Sequence, residues 1–290
     1  IKKALPLFKI AVETNPEIGQ FWASYVDALI QDRDFEKARG VIEQGRVEGL
    51  DKDRVSALVA RMKSVESNCA PEQSELISLV KYFKERQYSK AKTLAISLTQ
   101  RFPKHPFGWK VLGAVLNQTG QVSKSIAPSQ KAVELAPDDD NAHNNLGISL
   151  RVLGKLNEAA ESFGQAIALK PDCAEARANL GNTLAEMGRL EEAEAALRQA
   201  ILFKPDFAES HRNLGNILRG QDKLDEAANS YKQAITLKHD FAEAHSDLGI
   251  ALQEMGRLEE AVNSYNQAIT FKPDFAGAYS NLGVVLQELG

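Results

Sequence analysis

The sequence predicts an all-α fold, a solenoid of antiparallel helix pairs stacked on a 34-residue period. Three observations predict it. The dipeptide Leu-Gly recurs at Leu112-Gly113, Leu146-Gly147, Leu180-Gly181, Leu214-Gly215, Leu248-Gly249 and Leu282-Gly283, each step being 34 residues. Proline keeps the same step at Pro103, Pro137, Pro171, Pro205 and Pro273, with His239 once in its place. Two columns of small residues, Ala159/Ala193/Ala227/Ala261 and Ala132/Ala166/Ala200/Ala234/Ala268, run in the same register. A period of this length marks architectures in which one unit cannot bury its apolar face alone and neighbours must stack.

Each unit reads as two helices. In 174–207, Arg177, Leu180, Leu184 and Met187 recur at the three- and four-residue spacing of one helix face. Gly188 then closes the helix as a left-handed turn residue. A second helix from near Leu190 to about Phe203 carries Leu190, Ala193, Leu197, Ala200 and Ile201 on its face, and Pro205 stops it. Asp172-x-x-Glu175, Asp206-x-x-Glu209 and Asp240-x-x-Glu243 read as capping boxes with Asp in the cap position. Glu191-Glu192, Asp225-Glu226 and Glu259-Glu260 open the second helices, and Lys170, Lys204, Lys238 and Lys272 close them, both as the helix dipole prefers. Three departures stand out. Asp222 replaces the turn glycine, Gly277 breaks the last capping box, and Pro128, with Ser125 and Ser129 around it, predicts a kinked or loosened second helix in 106–139.

In chain order the frame places complete repeats at 106–139, 140–173, 174–207, 208–241 and 242–275, with the first helix of another at 276–290. Weaker matches extend it backwards. Tyr82, Ala91 and Pro103 place a repeat at 72–105; Trp22, Leu29 and Ala38 place one at 19–52; Ala4, Phe8, Ala11 and Pro16 make 1–18 a half repeat. Residues 53–71 break the period, with one extra helix expected over 53–64 and a linker over 66–71. The expected organisation is therefore a degenerate block at 1–65, the linker, and an array at 72–290.

The pattern resembles the tetratricopeptide repeat. Trp109, Leu112, Gly113 and Leu116 fit the W-x2-L-G-x2-Y part of that motif, and Ala159, Phe163, Ala166 and Pro171 fit the A-x3-F part and the later A and P. The resemblance implies a right-handed superhelical α-solenoid whose first helices line the inner, concave wall. Positions 2, 6, 9 and 13 of each first helix share one stripe. One column of it is nearly uniform: Asn145, Asn179, Asn213, Asp247 and Asn281, with Asn182 and Asn216 beside it. A side-chain amide both donates and accepts, so a row of them can pair with the backbone of an extended peptide. The competing reading is that these amides serve helix packing alone.

The resemblance implies a protein–protein interaction scaffold binding an extended peptide or partner protein on that wall. Two alternatives come from other classes. The chain resembles the repeat arm of O-linked N-acetylglucosamine transferase, which implies the substrate-recognition arm of a larger enzyme, a glycosyltransferase before others. The last first helix leaves Leu282, Val285, Leu286 and Leu289 without a capping helix, which fits self-association by end-to-end stacking. A further variant of the family grips a C-terminal carboxylate with Lys and Asn at fixed positions. Lys110 holds one of these, but Ala114 stands where Asn is needed, so that variant is excluded.

Composition narrows the rest. A net charge of −4 carries no basic footprint for nucleic acid. No apolar run spans a bilayer, and the expected compartment is the cytoplasm. Cys69 and Cys173 lie too far apart for ligand or redox spacing and read as free thiols. His143, His211 and His245 share one position in three repeats, but stacked helices set them on the order of 10 Å apart, too far for one metal ion. They read as aromatic-like filler. No phosphate-binding glycine loop or nucleophile–base pair occurs, so neither cofactor nor catalysis is expected of this chain.

Overall fold

A computed structural model describes residues 3–67 and 70–290. Among the described residues every regular element is helical. In chain order they are α1 (Leu5–Thr14), α2 (Gly19–Gln31), α3 (Phe35–Val47), α4 (Lys52–Ser67), α5 (Gln73–Lys84), α6 (Tyr88–Arg101), α7 (Pro106–Gln118), α8 (Val122–Leu135), α9 (Asp140–Val152), α10 (Leu156–Leu169), α11 (Ala174–Glu186), α12 (Leu190–Phe203), α13 (Ala208–Gly220), α14 (Leu224–Leu237), α15 (Ala242–Glu254), α16 (Leu258–Phe271) and α17 (Ala276–Leu289). The chain is an all-α solenoid. It divides into two compact units, Ile1–Gly108 and Trp109–Gly290. The linker expected at 66–71 falls inside the first unit, and Asn68 and Cys69 within it lie outside the described residues.

In the second unit each first helix packs on its own second helix, and each second helix packs on the next first helix. Successive first helices also touch: α9 on α11, α11 on α13, α13 on α15, α15 on α17. From 140 to 275 the core sets one large side chain per repeat against one glycine. Phe163, Leu197, Tyr231 and Tyr265 are fully buried. Their glycine partners leave no room for a Cβ: one built on Gly215 would lie 2.5 Å from Tyr231 Cε1, and one on Gly249 2.7 Å from Tyr265 Cε1. Ala159, Ala193, Ala227 and Ala261, also fully buried, let the second helices come close.

The turn between the paired helices is left-handed in every repeat of the frame. Gly120, Gly154, Gly188 and Gly256 have φ of 72°, 74°, 78° and 72°, and Asp222 has φ 63°. The two degenerate repeats share the geometry, with Arg33 at φ 59° and Arg86 at φ 57°. A side chain there carries a steric cost that glycine avoids. The register of 19–52 and 72–105 is thus visible in the backbone where the sequence motif is faint.

One local expectation is corrected. The capping boxes at Asp172, Asp206 and Asp240 do not form. The first helices begin one residue later, with Cys173, Phe207 and Phe241 at the N-cap and no side-chain cap bond. A tight turn follows Asp206 and Asp240 instead, with Ala208 N–H donating to Asp206 O at 3.1 Å and Ala242 N–H to Asp240 O at 3.0 Å. True Asp caps occur at Asp139, which accepts from Ala142 N–H at 3.1 Å, and at Asp34, which accepts from Lys37 N–H at 3.2 Å. Pro128 lies inside α8. The helix runs unbroken over 14 residues, as its counterparts do, and ends in the same backbone geometry.

In the first unit, α1 to α4 enclose one cluster around Trp22, Val26, Leu29, Ile42 and Met62. The extra helix expected over 53–64 is α4, and it packs on both α3 and α2. Those are the contacts a following first helix makes in the second unit. Arg61 Nη1 also donates to Asp27 Oδ2 at 2.9 Å across α4 and α2. The break in the period is therefore a first helix without its second. α5 and α6 form the next pair, joined by Arg101, whose guanidinium donates to both Glu75 carboxylate oxygens at 2.6 and 3.1 Å.

Candidate functional site

The first helices of the second unit form the wall on which the amide column lies. Its geometry starts from the loops that lead into each helix. The fourth residue of a first helix donates to the carbonyl six residues earlier. His143 Nε2 lies 2.9 Å from Pro137 O, His211 Nε2 3.0 Å from Pro205 O, and His245 Nε2 3.0 Å from His239 O. Arg177 reaches Pro171 O through Nε and Nη2, and in the first unit Trp22 Nε1 reaches Pro16 O at 2.8 Å. Trp, Arg and His interchange here because each extends an N–H to the same oxygen. The three histidines are hydrogen-bond donors, which adds a polar role to the aromatic-like filler read from the sequence. Among the described residues no group of His, Cys, Asp or Glu is placed to hold a metal ion.

Along the wall, side chains 35 residues apart tie one first helix to the next. Asn179 Nδ2 donates to Asn144 Oδ1 at 3.0 Å, and Arg212 Nε to Asp247 Oδ2 at 2.6 Å. A second row joins Arg151 to Glu186 at 2.7 Å, Arg219 to Glu254 at 2.9 Å and Gln253 to Glu288 at 2.8 Å. Between 106–139 and 140–173 the ties take another form. Lys110 Nζ bonds Asp139 Oδ2 at 2.6 Å, and Asn117 Nδ2 bonds Ser149 Oγ at 2.9 Å. Ser125 Oγ joins that node, 2.6 Å from Asn117 Oδ1 and 2.9 Å from Ser149 Oγ.

One junction has no such tie. Where 174–207 meets 208–241, the tying positions hold Ala178 and Ala185 against Asn213 and Gly220. Alanine and glycine carry no polar side-chain atoms. The link there runs through the second helices instead. Glu194 takes Lys223 at 2.9 Å and Arg198 at 2.8 Å, and Arg198 reaches Glu226 at 2.9 Å. The Lys223 hydrogen bond, followed by Arg198, holds the Glu194 carboxyl below its ordinary range.

These ties decide which residues of the amide column are free. All seven candidates lie on the first helices. Asn145, Asn182, Asn213 and Asn281 are half-buried, and their side-chain amides have no protein partner among the described residues. Asn145 contributes only its backbone carbonyl, to Asn117 Nδ2 and Ser149 Oγ. Asn179 spends Nδ2 on Asn144 and keeps Oδ1. Asn216 accepts from Tyr231 Oη at 2.7 Å through Oδ1 and keeps Nδ2. The Tyr231 hydroxyl is pushed up to about 12 by burial, so it stays a donor at any ordinary pH. Asp247 is occupied by Arg212, and burial nonetheless raises its carboxyl above the ordinary value.

The arrangement defines a helical-repeat scaffold with a polar wall. Two family models for the tetratricopeptide repeat match the chain, one over residues 215–256 and 251–290 and another over 153–216, and the chain is a tetratricopeptide-repeat protein. Solved structures agree. A crystal structure of MamA is 25% identical with TM-score 0.51, over 57% of this chain and 96% of that one. TTC0263, a thermophilic repeat protein of Thermus thermophilus, is 25% identical with TM-score 0.54, over 63% of this chain and 100% of its own. The anaphase-promoting-complex hetero-tetramer Cut9–Hcn1 is 16% identical with TM-score 0.68 and shares the fold over 98% of this chain and 59% of that one. Comparison with curated proteins finds no match. Tetratricopeptide-repeat proteins are in general interaction scaffolds for other proteins rather than enzymes. No described helix is long and apolar enough to cross a membrane.

Proposed function

We propose that the chain is a scaffold whose first-helix wall over 140–241 holds an extended segment of a partner protein by its backbone. The observation that carries this reading is the state of the amides. Asn145, Asn182 and Asn213 are half-buried, share one stripe, and have no protein partner for either end of the side chain. A half-buried amide without a bond gains from a ligand that supplies both a donor and an acceptor. An extended backbone supplies them at regular intervals. Such a grip reads main chain more than side chains and favours breadth of partners over affinity. Asp247, closed by Arg212, ends the row on one side.

The test uses peptides selected from a random display library against the full chain. The selected peptides are titrated against Asn182→Ala/Asn213→Ala. Each lost amide pairing is worth about 0.5–1.5 kcal/mol, so the double variant weakens binding roughly 5- to 150-fold. The thermal midpoint holds, because neither amide bonds to the folded chain. If the midpoint falls while affinity stays, the amides are framework and the reading is wrong.

A further inference from the structure

We propose that α5 carries a second docking surface, a groove for a partner-protein segment that presents a large aliphatic or aromatic side chain flanked by carboxylates. The groove has a volume of ≈ 530 Å³ and is walled by Leu76, Ile77, Val80 and Phe107, with Gln73, Lys81, Lys84 and Glu85 at its margin. All of these residues belong to the first unit. Ile77 is 60% exposed in the middle of a helix, where nothing in the folding of the pair α5–α6 calls for an isoleucine. Single exposed apolar residues are ordinary, but four around one groove mark an interaction site.

The chemistry of the occupant follows from the repeat register. Ile77, Val80 and Lys84 hold the positions that Asn179, Asn182 and Glu186 hold in 174–207. Amide, amide and carboxylate have become two apolar residues and an ammonium. A segment suited to the amide wall does not suit this one. The apolar walls take an apolar side chain, and the two lysines, three residues apart on one helix face, favour carboxylates beside it. Glu85 compensates part of their positive charge and leaves an excess at Lys84. Lys81 meets Glu85 at 4.0 Å, both exposed, and no ion pair occupies Lys84 among the described residues.

This surface does not depend on the amide wall, and its test separates the two. Three labelled peptide probes are titrated against the full chain, whose isoleucine methyl groups are observed by NMR. The first has a Leu-Phe centre between aspartates, the second has lysines for the aspartates, and the third has Ala-Ala for Leu-Phe. The first probe shifts the Ile77 methyl and binds roughly 10- to 100-fold tighter than the third, the effect of burying one large apolar side chain. It binds about 3- to 10-fold tighter than the second. Lys81→Glu/Lys84→Glu reverses the preference between aspartate and lysine probes, and these exposed sites tolerate the change. Ile77→Glu abolishes binding, while Asn182→Ala/Asn213→Ala leaves it unchanged. Equal binding of the aspartate and lysine probes, or an unmoved Ile77 methyl, overturns the proposal. So does an Ile77 methyl that shifts with chain concentration alone as dimers form in sedimentation, since the occupant is then a second copy.

Discussion

The glycine of the Leu-Gly dipeptide allows one substitution to be compared at two sites with opposite expected signs. Gly215→Ala and Gly283→Ala alter the same position of two first helices. In either helix alanine is favoured over glycine by about 1 kcal/mol. At Gly215 the new Cβ would meet three Tyr231 ring atoms, Cε1 at 2.5 Å, Cδ1 at 2.7 Å and Cζ at 2.9 Å. That ring is fully buried and its hydroxyl is bonded to Asn216, so it cannot withdraw. Overpacking of this kind costs about 1–3 kcal/mol, which leaves a net destabilisation of roughly 0–2 kcal/mol. At Gly283 nothing lies within 4 Å of the added Cβ, and the full propensity gain of about 1 kcal/mol survives. The two variants should therefore differ by about 1–3 kcal/mol. Urea unfolding followed by circular dichroism measures this as a midpoint shift at unchanged slope. Should Gly215→Ala raise the midpoint as far as Gly283→Ala does, the glycine–tyrosine packing is not what fixes the helix pair.

Three further outcomes follow from single features. Arg86→Gly should stabilise the chain by about 1 kcal/mol, because Arg86 sits at φ 57° with no need of its side chain for the turn; a loss of stability would show that the arginine has a role in place. Asp247 has its carboxyl raised by burial above 3.8, so the folded chain holds that proton longer than the unfolded one. Its contribution to stability is therefore greatest below 3.8 and is lost as pH rises through the raised value, and Asp247→Asn should gain on the native chain between about pH 4 and about pH 7 in urea midpoints. A constant difference across that range would remove the argument. Ala185→Arg with Gly220→Glu should supply the missing tie at the untied junction; a double-mutant cycle should give a coupling of about 0.3–1 kcal/mol, and a coupling of zero would mean the two helices stand too far apart there.

Much of the framework was legible because it repeats at 34 residues. Glycine, alanine and proline recur where close approach, a left-handed turn or a helix stop requires them, and those requirements are local. What escaped the reading has a different period or no side-chain signature. The ties on the first-helix wall join residues 35 apart, so Arg212 and Asp247, or Arg151 and Glu186, fall in different columns of a 34-residue alignment. Asp247 looked like a member of the amide column and is instead half of an ion pair. The Asp-x-x-Glu spacing imitated a capping box because the helix start was misjudged by one residue, and a turn through the Asp carbonyl takes the place of the cap. Pro128 marks a departure from the repeat, and the surrounding helix continues through it. The α5 groove escaped because a degenerate repeat draws attention to what it lacks, while Ile77 supplies what the column elsewhere does not have.

The bond from the fourth residue of α9, α11, α13 and α15 has a consequence for how such a chain can lengthen or shorten. Its acceptor is a main-chain carbonyl, supplied by Pro137, Pro171, Pro205 or His239 alike. Excising 140–173, 174–207 or 208–241 in register therefore rejoins a donor to an acceptor, whatever residues flank the splice. The ties between side chains 35 apart have no such indifference: each splice would set a new pair face to face, Ala178 opposite Asp247 if 208–241 were removed. Repeat number can thus drift without undoing the loops, while every change in number rewrites the polar surface along which the first helices meet.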